Sequence, residues 1–224
     1  MKIFNPPSSN SKIPVNGTYG PSHNTDGVDV HGNPFFIHHS HIDTGDDNVA
    51  VHDSNVLVHD CYFGHGHGAS IGSLANDNAI QNVTFTRIKF ENTEYAARIK
   101  SHPGATGFCR NIKWTDIQLK NVRTSMKISM YYQNPKSDPK TKLQISDITI
   151  SGLTSTGTTT ELGKDIVPGV FNCQPSAPCR NIVLKDISHQ TKNPFECSNA
   201  YGSDNHVKPK SCLKKQKSNY IVYN

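Results

Sequence analysis

Asp26, Asp46, Asp47, His67, Arg98 and Lys100 are residue types that move protons and hold anions. They fall in four short motifs: "NTDGVD" at 24–29, "GDD" at 45–47, "GHG" at 66–68 and "RIK" at 98–100. The intervals are similar: 46 − 26 = 20, 67 − 46 = 21 and 98 − 67 = 31. Two adjacent carboxylates in a glycine turn repel each other and add nothing to a core. Crowded carboxylates raise the pKa of one of their number, which can then keep a proton and act as an acid. Arg98 and Lys100 alternate with Ile99, so on a strand both point the same way, where Arg98 can grip a carboxylate with two donors. Each motif alone has a plain explanation. Asn, Asp and Gly are turn formers, an Asp-Asp pair is usually solvated, and Arg-Ile-Lys suits an exposed strand face. Asp29 is read as structural. The joint order and coil-like spacing point instead to one groove lined by three carboxylates, a histidine, an arginine and a lysine.

What positions them is a loose repeat. "SNVLVHDCYF", "QNVTFTRIKFEN", "RNIKWTDIQLKN", "LQISDITISG" and "RNIVLKDISHQT" each begin with a polar residue, usually asparagine, and continue as alternating strand. Ile112 and Trp114 alternate with Lys113 and Thr115, and Ile182 and Leu184 with Val183 and Lys185. Period two means strand. Repeat starts advance by 82 − 55 = 27 and 111 − 82 = 29 residues, a solenoid period rather than a sandwich period. No long segment has a helical period, which disfavours a doubly wound sheet. The expected fold is all-β, a parallel β-helix, with a β-sandwich as runner-up. We expect a single domain over 1–224, with an irregular lead-in at 1–20 and a C-terminal loop and tail from about 195 to 224. An uncapped first coil would expose strand edges. The motifs start so early, at Asn24, that coils present in longer relatives are expected to be absent.

The 224 residues carry a net charge of +5, and the hydrophobic fraction is 34%. This balance permits an acidic partner without demanding one. Much of the excess lies in "KPKSCLKKQKS", read as a solvated end. No apolar run approaches a membrane span, and the first residues lack the apolar stretch of a signal peptide. Of six cysteines, Cys173 and Cys179 bracket a proline-rich loop, and Cys197 and Cys212 a polar one. Both pairs suit small disulfide loops in an oxidising compartment. Cys61 and Cys109 have no obvious partner. With no CxxC pair, a cysteine zinc site is not expected. Sequons at Asn16 and Asn82 fit secretion but arise often by chance. His38, His39, His41 and Asp43 suggest a metal cluster, but no full ligand set accompanies them; they are read as surface histidines, and no metal or cofactor is expected.

In this order, with "ASIGSL" after the histidine motif and "AARIKS" around the basic pair, the four motifs resemble those of polygalacturonases, the family 28 glycoside hydrolases. The resemblance runs from about Asn24 to the C-terminal cysteines. It implies a right-handed parallel β-helix and inverting hydrolysis of α-1,4-galacturonosyl linkages in pectin. Carried over, Asp46 is the general acid, Asp26 and Asp47 are the bases, and His67 tunes the acid's proton. Asn24, Arg98, Lys100 and Tyr132 bind substrate, with Tyr131 competing for the tyrosine position. The resemblance implies a monomer acting on an acidic polysaccharide, extracellular or in the cell wall, without nucleic acid, membrane or cofactor. It also exposes departures. Many relatives have a disulfide where this chain has Asn48 and Phe63, and His65 stands where a small residue or proline is expected. The rival expectations are a non-catalytic pectin-binding fragment and a Ca²⁺-dependent pectate lyase.

Overall fold

The computed structural model describes residues 2–4, 24–133, 140–160 and 162–215. Among these there is no helix. Strands alternate between two all-parallel sheets, so each turn of the chain lays one strand on each, and the result is a right-handed parallel β-helix. One sheet contains β4 (His41–Thr44), β6 (Val56–His65), β8 (Asn78–Glu91), β10 (Gly107–Lys120), β12 (Gln144–Thr156), β14 (Cys179–His189) and β16 (Ala200–Lys208), with β1 (Lys2–Phe4) and β3 (Phe35–His38) at its first end. The other contains β2 (Val28–Val30), β5 (Val49–Val51), β7 (Ala69–Leu74), β9 (Tyr95–Ser101), β11 (Thr124–Ser129), β13 (Val170–Asn172) and β15 (Glu196–Ser198). The sandwich alternative is thereby replaced.

Alternation decides what goes inside. Val58, Phe85, Trp114, Ile150 and Leu184 align across successive coils, and all are buried. The rings of Phe85 and Trp114 stack at 5.4 Å. Lys113 is exposed and Thr115 half-buried, as the period-two pattern requires.

The long strands turn corners at residues with positive φ. The first corner uses Asn55, Asn82, Asn111, Asp147 and Asn181, with φ between 51° and 59°, a region Asn and Asp tolerate better than most residues. Their side chains form a ladder: Asn55 donates to Asn33 at 2.8 Å, Asn82 to Asn55 at 2.9 Å, Asn111 to Asn82 at 2.7 Å, and Asn181 to Asp147 at 2.6 Å. The repeats begin with asparagine for this reason. It also engages the amide nitrogen of Asn82, the atom its sequon would offer to a glycan. A second corner aligns Asp60, Arg87, Asp116, Gly152 and Asp186, all at positive φ. His65, expected to be a tolerated surface residue, takes the third corner with Asn92 and Asn121 and hydrogen-bonds Asp43 at 2.8 Å.

Both expected disulfides form, Cys173–Cys179 and Cys197–Cys212, while Cys61 and Cys109 are free and buried. The C-terminal boundary needs correction. Residues expected as loop from about 195 are regular: β15 pairs with β13 and β16 with β14 as far as Lys208. The apolar alternation fades there, so the sequence carried no strand signal. Of the lead-in, 2–4 form a strand on β4; 5–23 lie outside the described residues, and the sequon at Asn16 with them.

At the end of β14 the imidazole of His189 is buried, and neither ring nitrogen has a hydrogen-bond partner among the described residues. Burial pushes its pKa down from 6.5 to about 4. Below pH 6.5 the unfolded chain takes up a proton that the folded chain refuses, so stability falls as pH drops from 6.5 to 4, by up to about 3 kcal/mol. His189→Leu should therefore gain on the wild type as the pH is lowered. Urea midpoints at pH 7.5 and 4.5 check this; a wild-type-to-variant gap that does not change with pH refutes it.

Candidate active site

The motifs meet because they occupy equivalent turns. Asp46 and Asp47 lie between β4 and β5, His67 between β6 and β7, and Glu94 between β8 and β9. Each turn carries the chain from one sheet to the other, and hydrogen bonds stack them: His67 N donates to Asp46 O at 2.7 Å, and Glu94 N to Gly66 O at 2.8 Å. The glycines around His67 are required. Gly66 and Gly68 have φ of 64° and 79°, and a Cβ would lie 2.3 Å from Asp46 O and 2.2 Å from Tyr95 O respectively. Asn48 does the work of a covalent tie. Its buried side chain donates to Ile42 O and Gly64 O, both at 3.0 Å, and accepts from Gly68 N at 2.9 Å. Phe63, the other departure, is fully buried against Phe90.

Asp46 is held from three sides. His67 Nδ1 lies 2.7 Å from its Oδ1, Asp47 N donates to the same oxygen at 2.9 Å, and Asn24 N donates to Oδ2 at 2.9 Å. Burial alone would raise its pKa, but the His67 hydrogen bond and the two backbone donors outweigh it and hold the carboxyl well below its usual range. Asp26 goes the other way. Burial first, then repulsion from Asp46, Asp47 and Asp29, pushes it up to about 6. The crowding argument thus holds, but the carboxyl that is easiest to protonate in the free protein is Asp26, whereas the resemblance gives Asp46 the proton. His67 also faces Glu94, with Nε2 3.3 Å from Oε2. Its ring therefore sits between two carboxylates.

Asp47 has no exposed surface. Ser70 donates to its Oδ1 at 2.7 Å, Arg98 Nη1 donates to the same oxygen at 3.2 Å, and Lys100 Nζ donates to Oδ2. The two cations expected to bind substrate thus rest on Asp47 in the free protein. They come from β9 as alternation requires, with Ile99 turned into the core at 1% exposure. Arg98 stands in register with Ser70, so the 31-residue interval spans slightly more than one coil. Next to it in register comes Lys127 of β11.

Tyr95, Arg98, Lys100, Lys127, Tyr131 and Tyr132 line a cleft of about 390 Å³. Arg98 lies 4.4 Å from the Tyr95 ring centre and 5.4 Å from that of Tyr132, and Lys100 lies 5.3 Å from the latter. Tyr131 packs partly against the core, and both tyrosines are half-buried. Asp29 is exposed, 3.6 Å from His52. Sequence reasoning missed Glu94, Ser70, Tyr95 and Lys127. Glu94 and Tyr95 could have been found, since "NTEYAARIK" places both just before the basic pair; Ser70 and Lys127 become neighbours of the site only through strand register. One donor atom each from Asp46, Asp47 and His67 lies within 4.8 Å of the others, close enough to hold a cation, although these atoms already serve His67, Arg98 and Lys100. The four residues at 38–43 do not form one cluster as their spacing suggested: His38 and His39 touch at 3.0 Å, but His41 packs on Tyr62 and Asp43 pairs with His65.

The model of glycosyl hydrolases family 28 matches residues 7–212. The chain belongs to this family. Among curated proteins, it is 37% identical over 211 residues to a polygalacturonase of Prunus persica, a match covering 87% of this chain and 51% of that protein. It is 32% identical to a polygalacturonase of Cryptomeria japonica, covering 75% of this chain and 33% of that protein. The solved polygalacturonase from Erwinia carotovora ssp. carotovora is similar at 26% identity with a TM-score of 0.61, over 76% of this chain and 43% of that one. This family 28 chain thus spans about half, or less, of the length of these relatives.

Proposed function

We propose that this family 28 chain hydrolyses α-1,4-galacturonosyl linkages in pectin or polygalacturonate by an inverting acid–base mechanism. The observation that carries the reading is the Asp46–His67 pair placed beside a cleft whose walls are Arg98, Lys100 and Lys127. An anionic polymer needs cations at fixed positions, and a glycosidic oxygen needs a proton. The 2.7 Å contact between Asp46 and His67 lets the pair share one proton, so Asp46 delivers it to the leaving oxygen although its own affinity for protons is low. Water then attacks the anomeric carbon from the opposite face and gives its proton to Asp26. Inversion leaves about 6.5–9.5 Å between acid and base for that water. Asp47, expected as a second base, is the better candidate for spacing Arg98 and Lys100 before substrate arrives. Tyr132 offers a ring for a sugar face. Tyr132→Ala should raise KM several-fold with kcat little changed; initial-rate kinetics on polygalacturonate check it, and an unchanged KM overturns that role.

A lyase reading is disfavoured by the same site. Ca²⁺ takes 6–8 oxygen ligands, whereas Asp47 already meets two cations. On this reading the protein acts outside the cell or in the cell wall, and as a monomer. The test is a reducing-end assay on polygalacturonate with EDTA present, with unsaturated product followed in parallel. New reducing ends without unsaturation support the proposal. Unsaturated product supports a lyase, and no product from a sample whose circular dichroism is that of folded β-structure supports a binding role alone.

A further inference from the structure

A second cluster lies away from these turns, at the second corner of the coil. β3 pairs with β6 so that His38 stands opposite His59, and His39 N donates to His59 O at 3.2 Å. The next residue of each strand, His39 and Asp60, has positive φ, 48° and 53°. One donor atom each from His39, His59 and Asp60 lies within 4.8 Å of the others. His38 joins them: its Nδ1 is 3.0 Å from His39 Nδ1, and its ring stacks on His59 at 5.4 Å. We infer that His39, His59 and Asp60 form a site for a transition-metal ion of imidazole preference, Zn²⁺ or Cu²⁺.

Three imidazoles this close repel one another when protonated and gain little from one another when neutral. A divalent ion uses them in the neutral form and adds a bond to each ligand. Two imidazoles and a carboxylate suit Zn²⁺ or Cu²⁺ and not Ca²⁺ or Mg²⁺. His59 Nδ1 lies 2.5 Å from Asp60 Oδ2, and a carboxylate contact of this kind fixes the orientation and tautomer of a ligating histidine. Arg87 donates to both oxygens of Asp60 at 2.7 Å, and its Nη2 lies 3.4 Å from His59 Nδ1. Asp60 Oδ2 thus already meets Arg87 and His59, and the lone pair left for a metal is on Oδ1, beyond its Arg87 contact; His59 would ligate through Nε2. The two halves of the site come from successive coils, so only strand register assembles it.

The test uses the metal-stripped full chain in equilibrium dialysis against Zn²⁺, with Cu²⁺ electron paramagnetic resonance on the same samples. Expected are one ion per chain and nitrogen superhyperfine splitting from imidazoles. His39→Asn, which keeps a residue at ease with positive φ, and His59→Gln should each weaken uptake by at least about tenfold, with unchanged circular dichroism. Asp46→Asn/His67→Ala should bind as the wild type does. Uptake lost in that second variant and kept in the first two would place the ion in the catalytic turns and overturn the proposal, as would a Cu²⁺ spectrum without nitrogen splitting. Reducing-end release is not a readout here, so failure of the hydrolase proposal leaves this one standing.

Discussion

Asp46→Asn is expected to lower turnover of polygalacturonate by about 10²- to 10⁴-fold, the usual range for a general acid, with the fold intact. The amide keeps one acceptor oxygen, enough for either Asp47 N at the Oδ1 position or Asn24 N at the Oδ2 position, and has no acidic proton. On an aryl galacturonide whose leaving group departs without protonation, the loss should shrink to less than about tenfold, because the acid's contribution is then not needed. This comparison matters because Asp26, at about 6, holds a proton more readily in the free protein than Asp46 does. If Asp26→Asn, rather than Asp46→Asn, is rescued by the good leaving group, the acid and base exchange places. Near-normal turnover of the polymer by Asp46→Asn would remove Asp46 from the chemistry. With Asp26 as base, kcat/KM, which reports groups of the free enzyme, declines as pH falls through about 6, where Asp26 gains a proton and can no longer accept one.

The second large effect is on stability. Asp47→Ala strips the shared carboxylate from Arg98 and Lys100, whose side chains are only 9% and 10% exposed. Removing one member of a buried ionic group costs about 3–5 kcal/mol, because the remaining charges stay desolvated. For a chain of this size that lowers Tm by roughly 10 °C. Arg98 keeps its position over Tyr95, so the damage should centre on Lys100. Adding Lys100→Met, which removes a charge along with its partner, should recover part of the loss. Calorimetry of the single and double variants decides it. A single variant that melts with the wild type, or a double variant that melts below the single, would mean that Asp47 does not neutralise these cations.

Much of this was legible in the chain. Period-two alternation around Ile112 and Trp114 specified strands, because a pleated strand puts alternate side chains on opposite faces. The repeated leading asparagines marked corners, since Asn tolerates positive φ and its amide can both donate and accept along a stack. Cys173 with Cys179 and Cys197 with Cys212 were readable as pairs because short loops hold their ends close. The last strands were not legible. β15 and β16 form where a preceding coil offers unpaired backbone, and "AYGSDNHVK" has almost no apolar alternation to announce it.

For the candidate site, residue types and coil-length intervals in the sequence determined which side chains could share a face: Asp26, Asp46, Asp47, His67, Arg98 and Lys100. Only the tertiary structure decided which of them touch. Register brought Ser70, Arg98 and Lys100 onto Asp47, stacked turns put Glu94 behind His67, and unequal hydrogen bonding sent the protons of Asp26 and Asp46 in opposite directions: burial raises both, but His67 and two backbone donors hold Asp46 down. Burial and inter-coil distance set these energies, and neither is a property of any one stretch of the chain.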